Sequence, residues 1–353
     1  MRSMISAVVV NWNGRHYLEE CLAALLAQEP PPAEVILVDN HSDDGSREFV
    51  GRAFPGVRVL DTGHNRGPAA ARNFGVSSAR HGTVLLLDND VVLRPGALAA
   101  LARSLAEQPG TAAVQARSLC ADRPDLVHYD AADLHYLGVL VLHNWFQPLV
   151  VAGPPPEPAG AVVALCILVD RDAWLRVGGH DEELFILFED NELSWKLRLA
   201  GYRLRLCAAA LCVHRGGTAG LSLRESSDPY PARRTFLHSR NRPRVLLACM
   251  HWRTLLLTLP AQLLYGFVHF GFALRRGHVR AWLRGKWDLL RGLPALLRRR
   301  RRIQALRVVP DRAILIAAPL TLNPTVAART GTLRRCLDAA WIGYWRVVRR
   351  LCG

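Results

Sequence analysis

TVLLLDNDVVL, residues Thr83 to Leu93, joins five uncharged residues, three of them leucines, to Asp88-Asn89-Asp90 and a second apolar run. This is the pattern of a buried parallel strand that presents two carboxylates at its C-terminal end, where open α/β sheets bind ligands. Two acids one residue apart suit a divalent cation held by oxygen ligands, and such a cation can carry a diphosphate. A solvated turn after a strand explains the same letters, so the neighbouring segments decide between the readings.

Upstream, Ile5 to Val10 predicts a first strand broken by Asn11-Trp12-Asn13-Gly14. Leu18, Leu22, Leu25 and Leu26 then fall at helical spacing, and that helix stops before Pro30-Pro31-Pro32. Glu34 to Asp39 is a second strand with a carboxylate at its end, followed by Asn40-His41-Ser42-Asp43-Asp44-Gly45-Ser46, a turn rich in capping and hydrogen-bonding groups. A short strand at Val57 to Leu60 leads through Gly63 to Gly67 into a helix that begins near Pro68 and carries Arg72 and Asn73. Strands and helices alternate as in a parallel sheet with right-handed crossovers.

Downstream, Ser118 to Pro158 is polar, then aromatic, then proline-rich, with Gly153-Pro154-Pro155-Pro156-Glu157-Pro158 an exposed loop before a strand at Ala161 to Val169. Trp145 and Phe146 fit sugar stacking, lipid contact or a satellite core equally. Glu189-Asp190 opens a helix whose Leu193 and Leu197 lie three and seven positions beyond Asp190. Asp190 therefore begins the inward stripe and Glu189 turns aside from it. An acid in a first helical turn also serves simply to pair with the helix dipole.

The chain has 353 residues, half of them hydrophobic, enough for one large or two smaller domains. Its net charge of +15 and isoelectric point near 10.2 call for an anionic partner: nucleic acid, phosphorylated substrate or membrane surface. Arginine supplies nearly all of this charge, since Lys196 and Lys286 are the only lysines. The eight cysteines are scattered without metal-ligand spacing and fit free thiols in a reducing compartment. The N-terminal apolar run is too short for a signal peptide. No zinc, helix-turn-helix or ribonucleoprotein signature accompanies the arginines, so a nucleic-acid-binding protein leaves the acidic strand ends unexplained. A nucleotidyltransferase would place a glycine-rich, basic phosphate loop where Asn11-Trp12-Asn13-Gly14 stands.

Past Gly220 the composition changes. Arg233, Arg234, Arg240, Arg242 and Arg244 precede Thr254 to Leu274, 21 positions without a formal charge. As a helix that segment is roughly 31 Å long, enough to cross a hydrocarbon core. Thirteen basic residues against two acids follow from Arg275 to Arg312, including the run Arg298 to Arg302. Basic flanks on both sides oppose a single crossing, and Pro260 interrupts the segment. A monotopic arrangement, with apolar surface in the interface and arginines on anionic headgroups, fits better. Trp341, Tyr344 and Trp345 among arginines suggest a further interface.

Taken together, residues 5 to 217 resemble a family-2 glycosyltransferase of the GT-A fold, an inverting, nucleotide-sugar-dependent enzyme. VVVNWNG, VDNHSDDGS, the run Asn65 to Asn73 and LLLDNDV resemble its nucleotide half; Gly178 to Arg203 resembles its acceptor half. His180 stands where phenylalanine is usual, and no Q-x-x-R-W signature of processive synthases is present. The resemblance implies a Rossmann-like α/β fold, a mixed and mostly parallel sheet flanked by helices, with a helical membrane-associating C-terminal region. It divides the chain into residues 1–220, with a nucleotide half at 1–117 and an acceptor half at 118–220, and residues 221–353.

By the same resemblance Asn11, Asp39, Asn40, Asp43, Asn65, Arg72, Asp88 and Asn89 bind the nucleotide sugar, with Asp39 on the base, Arg72 on the diphosphate and Asp88 on the ribose. Asp90, with Asp88 and His214, holds Mg2+ or Mn2+; Arg215 is a second candidate for the phosphates. Asp181, Glu182 and Glu189 face the acceptor, and Asp190 is the catalytic base. The implied reaction moves a hexose, rhamnose by analogy, to a hydroxyl of a lipid-linked or cell-envelope glycan at the cytoplasmic face of the membrane.

Overall fold

The computed structural model describes residues 4–154, 156–216, 230–321 and 324–353. Pro155, Gly217 and the expected boundary at residue 220 lie outside the described residues. The chain divides into two compact units: Met1–Ala132, Leu142–Leu197 and Tyr202–Gly217 form one, and Asp133–Val141, Arg198–Gly201 and Thr218–Gly353 the other.

The first unit alternates as expected: β1 (Ile5–Asn11), α1 (Arg15–Leu26), β2 (Glu34–Asp39), α2 (Ser46–Ala53), β3 (Arg58–Asp61), α3 (Gly67–Ser78) and β4 (Thr83–Asp88). β1 is buried at every position, β2 at every position but its first and β4 at every position but its two ends, so their apolar runs are continuous rather than alternating, as a sheet covered on both faces requires. The second apolar run after Asp90 forms a separate strand, β5 (Val91–Leu93), followed by α4 (Ala97–Glu107), β6 (Thr111–Cys120) and β7 (Val127–Tyr129). A hairpin, β8 (Ala132–Leu134) and β9 (Leu140–Leu142), precedes β10 (Cys166–Asp170), α5 (Arg171–Val177), α6 (Glu189–Leu199) and β11 (Arg203–His214).

The sheet runs β3-β2-β1-β4-β10-β6-β11-β5, with β7 on β6. β1 to β4, β6 and β11 run one way and β5, β7 and β10 the other, a mixed and mostly parallel sheet. Of the strand expected from Ala161 to Val169, only the part from Cys166 is laddered; Ala161 makes one isolated bridge to Ala132. β1, β2 and β4 are in register at their C-terminal ends, where Asn11 lies beside Asp39 and Val10 beside Asp88. One edge of the sheet therefore gathers the polar strand ends.

The second unit is helical: α7 (Ala232–Cys249), α8 (Trp252–Arg275), α9 (Val279–Arg291), α10 (Leu293–Ala305), α11 (Asp311–Ile314) and α12 (Pro324–Val348), the last kinked at Gly331. Pro260 does not interrupt α8, which is one helix of 24 residues; a proline removes a single backbone donor, and the rest of the ladder continues past it. Trp341 and Trp345 are core residues rather than interface groups. Trp345 stacks on Tyr136 with centroids 4.8 Å apart, and the Tyr136 hydroxyl donates to the Trp341 carbonyl at 3.0 Å. Tyr344, with its hydroxyl on the Leu257 carbonyl at 2.5 Å, is tied into the same unit. All eight cysteines are unbridged.

Candidate active site

The side of the sheet edge expected to bind the nucleotide is a closed hydrogen-bond net. Asp39 is wholly buried: its Oδ1 accepts from Asn11 Nδ2 at 2.8 Å and Ser42 Oγ at 2.6 Å, and its Oδ2 from Ser42 N at 2.8 Å. Arg47 Nε stands 3.6 Å from Oδ2. Asp39 thus holds the turn after β2 rather than presenting an open carboxylate. Asn11 Oδ1 in turn accepts from Asn89 Nδ2 at 2.6 Å, and Gly14 leaves the room for it, since a Cβ there would fall 1.9 Å from that amide.

Asn40 and Asn65 brace the entry to α3. Asn40 Nδ2 donates to Asn65 Oδ1 at 3.0 Å, Asn40 Oδ1 accepts from Arg66 N at 2.9 Å, and Asn65 Oδ1 also accepts from Gly67 N at 2.9 Å. Gly67 has φ +81°, and a Cβ would strike Phe185 at 2.7 Å, so glycine is required twice over. Asp43 is exposed, with only its backbone N–H tied down, to Asn13 Oδ1 at 3.0 Å.

The acidic side is arranged differently. Arg72, buried on α3, donates from Nη2 to Asp88 Oδ1 at 2.8 Å and places Nη1 3.6 Å from Glu189 Oε1. Its Nε and Nη1 have no hydrogen-bond acceptor, and the buried Asp190 Oδ1 has no donor. Burial pushes Glu189 up to about 8, with the Asp190 charge adding to the rise and Arg72 opposing it. Burial likewise lifts Asp190 to about 6, held back by Arg72 and by the Ala164 backbone N–H. Asp88 is also raised, by burial first and by Asp90, against the pull of Arg72.

Glu189 does not turn aside as the helical stripe suggests. It is buried and Asp190 half-buried, because first-turn side chains lean past the N-terminus of their helix, and the charges of both interact with Arg72. The stripe itself is not what organises α6: every residue from Asn191 to Leu197 is buried, and Glu192 and Lys196 pair inside it at 2.8 Å. Just ahead of it Phe185, Leu187 and Phe188 take φ of 64°, 69° and 73°. Bulky residues there cost roughly 1–3 kcal/mol each and cluster where structure over-determines a functional group.

The expected acceptor residues are mostly tied up locally. Asp181 Oδ1 caps the short turn Glu182–Leu184 by accepting from Glu183 N at 3.2 Å. Glu182 is exposed and joins Arg66 Nη2 at 2.7 Å and Asn73 Nδ2 at 3.2 Å. His180 is buried edge-on against Trp174, with Nδ1 3.1 Å from the Glu189 carbonyl, which removes it from an acceptor surface.

At the other end of the acid pair, Asp90 Oδ2 lies 3.1 Å from His214 Nε2, and His214 Nδ1 lies 2.9 Å from His128 Nδ1. Cis donors around an octahedral cation at about 2.1 Å stand about 3 Å apart, so Asp90 and His214 have the spacing of two such ligands. Asp88 does not join them in a group of three: among the described residues no cluster of three or more His, Cys, Asp or Glu is set to hold a metal. A two-donor site suits a hard cation that takes its other ligands from phosphate and water. Arg215, the second phosphate candidate, pairs instead with Glu20. His128 escaped sequence reading because it sits on a three-residue strand with no motif around it.

Residues 6–144 match the family model for glycosyl transferase family 2. N-acetylglucosaminyl-diphospho-decaprenol L-rhamnosyltransferase of Mycobacterium tuberculosis is 29% identical over 237 residues, which is 61% of this chain and 76% of the relative. The crystal structure of GalNAc-T7 with UDP, GalNAc and Mn2+ superposes with a TM-score of 0.53 at 16% identity, covering 70% of this chain and 48% of that one. A mannosyltransferase from Pyrobaculum calidifontis, in complex with GDP-Man and Mn2+, superposes with a TM-score of 0.50 at 19% identity over 99% of this chain and 88% of its own. Residues 6–144 match glycosyl transferase family 2 and carry β1 to β9, the fold is GT-A, and the chain is a glycosyltransferase.

Proposed function

We propose that the enzyme transfers a hexose, with inversion, from a nucleoside-diphosphate sugar to a hydroxyl of a lipid-linked cell-envelope glycan, and that Asp190 is the base. The carrying observation is the buried, unpartnered Oδ1 of Asp190 beside Arg72 and Asp88. A base for an acceptor hydroxyl needs an open lone pair and a pKa near neutrality. Asp190 has both, whereas Asp39 has every oxygen engaged.

The nucleotide would lie along the Asn11–Asp39–Ser42 wall, braced by Asn40, Asn65 and Asn89, with Asp43 at its exposed rim. Arg72 and Asp88 would orient the ribose and diphosphate. Asp90 and His214 would hold Mg2+ or Mn2+, which when bound stabilises the charge left on the departing diphosphate. Glu189 stays protonated at neutral pH and serves to keep Arg72 in place. Asp181 and Glu182 shape the acceptor side through the turn they hold. Rhamnose and a lipid diphosphate acceptor are carried over by analogy with the mycobacterial relative.

Membrane association belongs to the same reading. Trp252, Leu256, Leu259, Leu263, Phe267 and Leu274 are all exposed and share one face of α8, the one described helix long and apolar enough to cross a membrane. Leu283, Trp287 and Leu290 form an exposed stripe on α9. Such faces, among arginines, suit the interface of an anionic bilayer on its cytoplasmic side.

The test is a panel of nucleotide sugars assayed for Mn2+-dependent release of nucleoside diphosphate by the purified protein, with and without a polyprenyl-diphosphate glycan. Release with one donor, stimulated by the lipid acceptor, is expected. Transfer of a nucleoside monophosphate from a nucleoside triphosphate to a sugar phosphate, with release of pyrophosphate and no nucleoside diphosphate, would replace this reading by a nucleotidyltransferase. Sedimentation with anionic vesicles, lost on Phe267→Ser, checks the membrane arm.

A further inference from the structure

We propose that His128 is a positioning residue for His214: its Nδ1 bonds His214 Nδ1 in either tautomer and so holds the ring in place while His214 Nε2 exchanges its proton for a cation. The inference rests on the reading of Asp90 and His214 as the cation donors. The two imidazoles meet through like atoms, Nδ1 to Nδ1 at 2.9 Å. A bond between two neutral rings in that arrangement needs one Nδ1 protonated and the other bare. The two tautomers are therefore locked to each other.

Asp90, as a carboxylate, can only accept from His214 Nε2 at 3.1 Å. Without a cation the proton of His214 therefore sits on Nε2, and its Nδ1 accepts from His128 Nδ1–H. Ligation by Nε2 requires that nitrogen to be bare, so the His214 proton must then sit on Nδ1 and be donated to a bare His128 Nδ1, His128 keeping its own proton on Nε2. Each ring carries one proton in both states, and no net proton is taken up or released by the pair.

The setting holds His128 still. It is buried on β7, which pairs with β6, and its ring lies 4.0 Å from that of Tyr129 and 4.8 Å from that of His214. Partners that orient a ligating histidine through its second nitrogen change metal affinity by roughly 10–100-fold when removed.

Mn2+ binding, read by loss of the free-ion electron paramagnetic resonance signal in the presence of UDP or GDP, tests this without turnover. His128→Leu should weaken binding ~10–100-fold. His128→Asn, whose amide can accept or donate at the place of Nδ1, should stay within about threefold. Wild-type affinity in His128→Leu, or equal losses in both variants, overturns the role of His128. His214→Ala with unchanged affinity overturns the cation site itself, a separate outcome. If His128→Leu does not fold, 15N spectra of the wild-type rings decide: opposite Nδ1 protonation that exchanges between the rings on adding Mg2+ and nucleotide is expected, and two rings both protonated at Nε2 refute the pairing.

Discussion

Asp39 and Asp190 are both acids at the ends of secondary structure on one sheet edge, yet their surroundings differ completely. Asp39 accepts three hydrogen bonds and holds a turn; Asp190 leaves an oxygen buried and unpartnered while burial lifts it to about 6. A satisfied carboxylate stabilises the fold and has little left to offer chemistry. An unsatisfied one costs stability and keeps a lone pair ready for a proton. The comparison separates the wall around Asp39, built to be rigid, from the acid pair proposed to react.

The largest expected effect breaks the reactive side. Asp190→Asn should cut turnover ~10²–10⁴-fold, the usual worth of a positioned base, with nucleotide affinity retained by calorimetry. Its melting temperature should change little, because the amide oxygen can still accept from the Ala164 backbone N–H and the lost attraction to Arg72 is offset by relief of the cost of burying the charge. Near-normal turnover would sink the assignment.

Arg72→Leu comes next and strikes between the two sides. Arg72 is the cation paired with Asp88 and lies beside Glu189, and removing one partner of a buried pair costs about 3–5 kcal/mol. Denaturant unfolding should show that loss; a change below about 1 kcal/mol would mean the acids are neutralised by other means.

Ser42→Ala sharpens the rigid side. It deletes one donor to Asp39 and the acceptor of Asn13 N and Asn11 Nδ2 while leaving the backbone N–H of the same residue in place, so about 1–3 kcal/mol of stability is expected to go, read by thermal melting. Turnover at saturating donor should be unchanged, since nothing on the acid side moves. A fall in turnover rivalling that of Asp190→Asn would erase the distinction between the two acids.

Much of this arrangement was legible from sequence, and the parts that were not have physical reasons. The ends of β1, β2 and β4 announce themselves because an apolar run buried on both faces must stop where the chain turns polar. Asp190 could be singled out, but the seven-residue stripe behind it is no stripe, because Glu192 and Lys196 neutralise each other inside a helix buried on all sides. The strained run at Phe185, Leu187 and Phe188 leaves no trace in composition, since those residues commonly avoid positive φ. Trp341 and Trp345 beside arginines carry the same letters whether they face lipid or, as here, stack in a core. His128 depends on a contact across 86 residues that no local pattern encodes.

The smallest effect asks most of the comparison, because it alters no residue. If Asp190 is the base, it works only as the carboxylate, so donor turnover must rise with pH through about 6 and stand at half its plateau there. Glu189, lifted to about 8 by burial and by the Asp190 charge, remains protonated across that rise and adds no second step below neutrality. Above about 8 its ionisation puts a second negative charge beside Asp190 and Arg72, which should raise the basicity of Asp190 without removing its carboxylate form. The profile should therefore be a single acid limb. In Glu189→Gln that limb should persist at about the same pH, whereas in Asp190→Asn the residual rate should lose it; a limb that survives in Asp190→Asn would assign the titration, and the base, to another group.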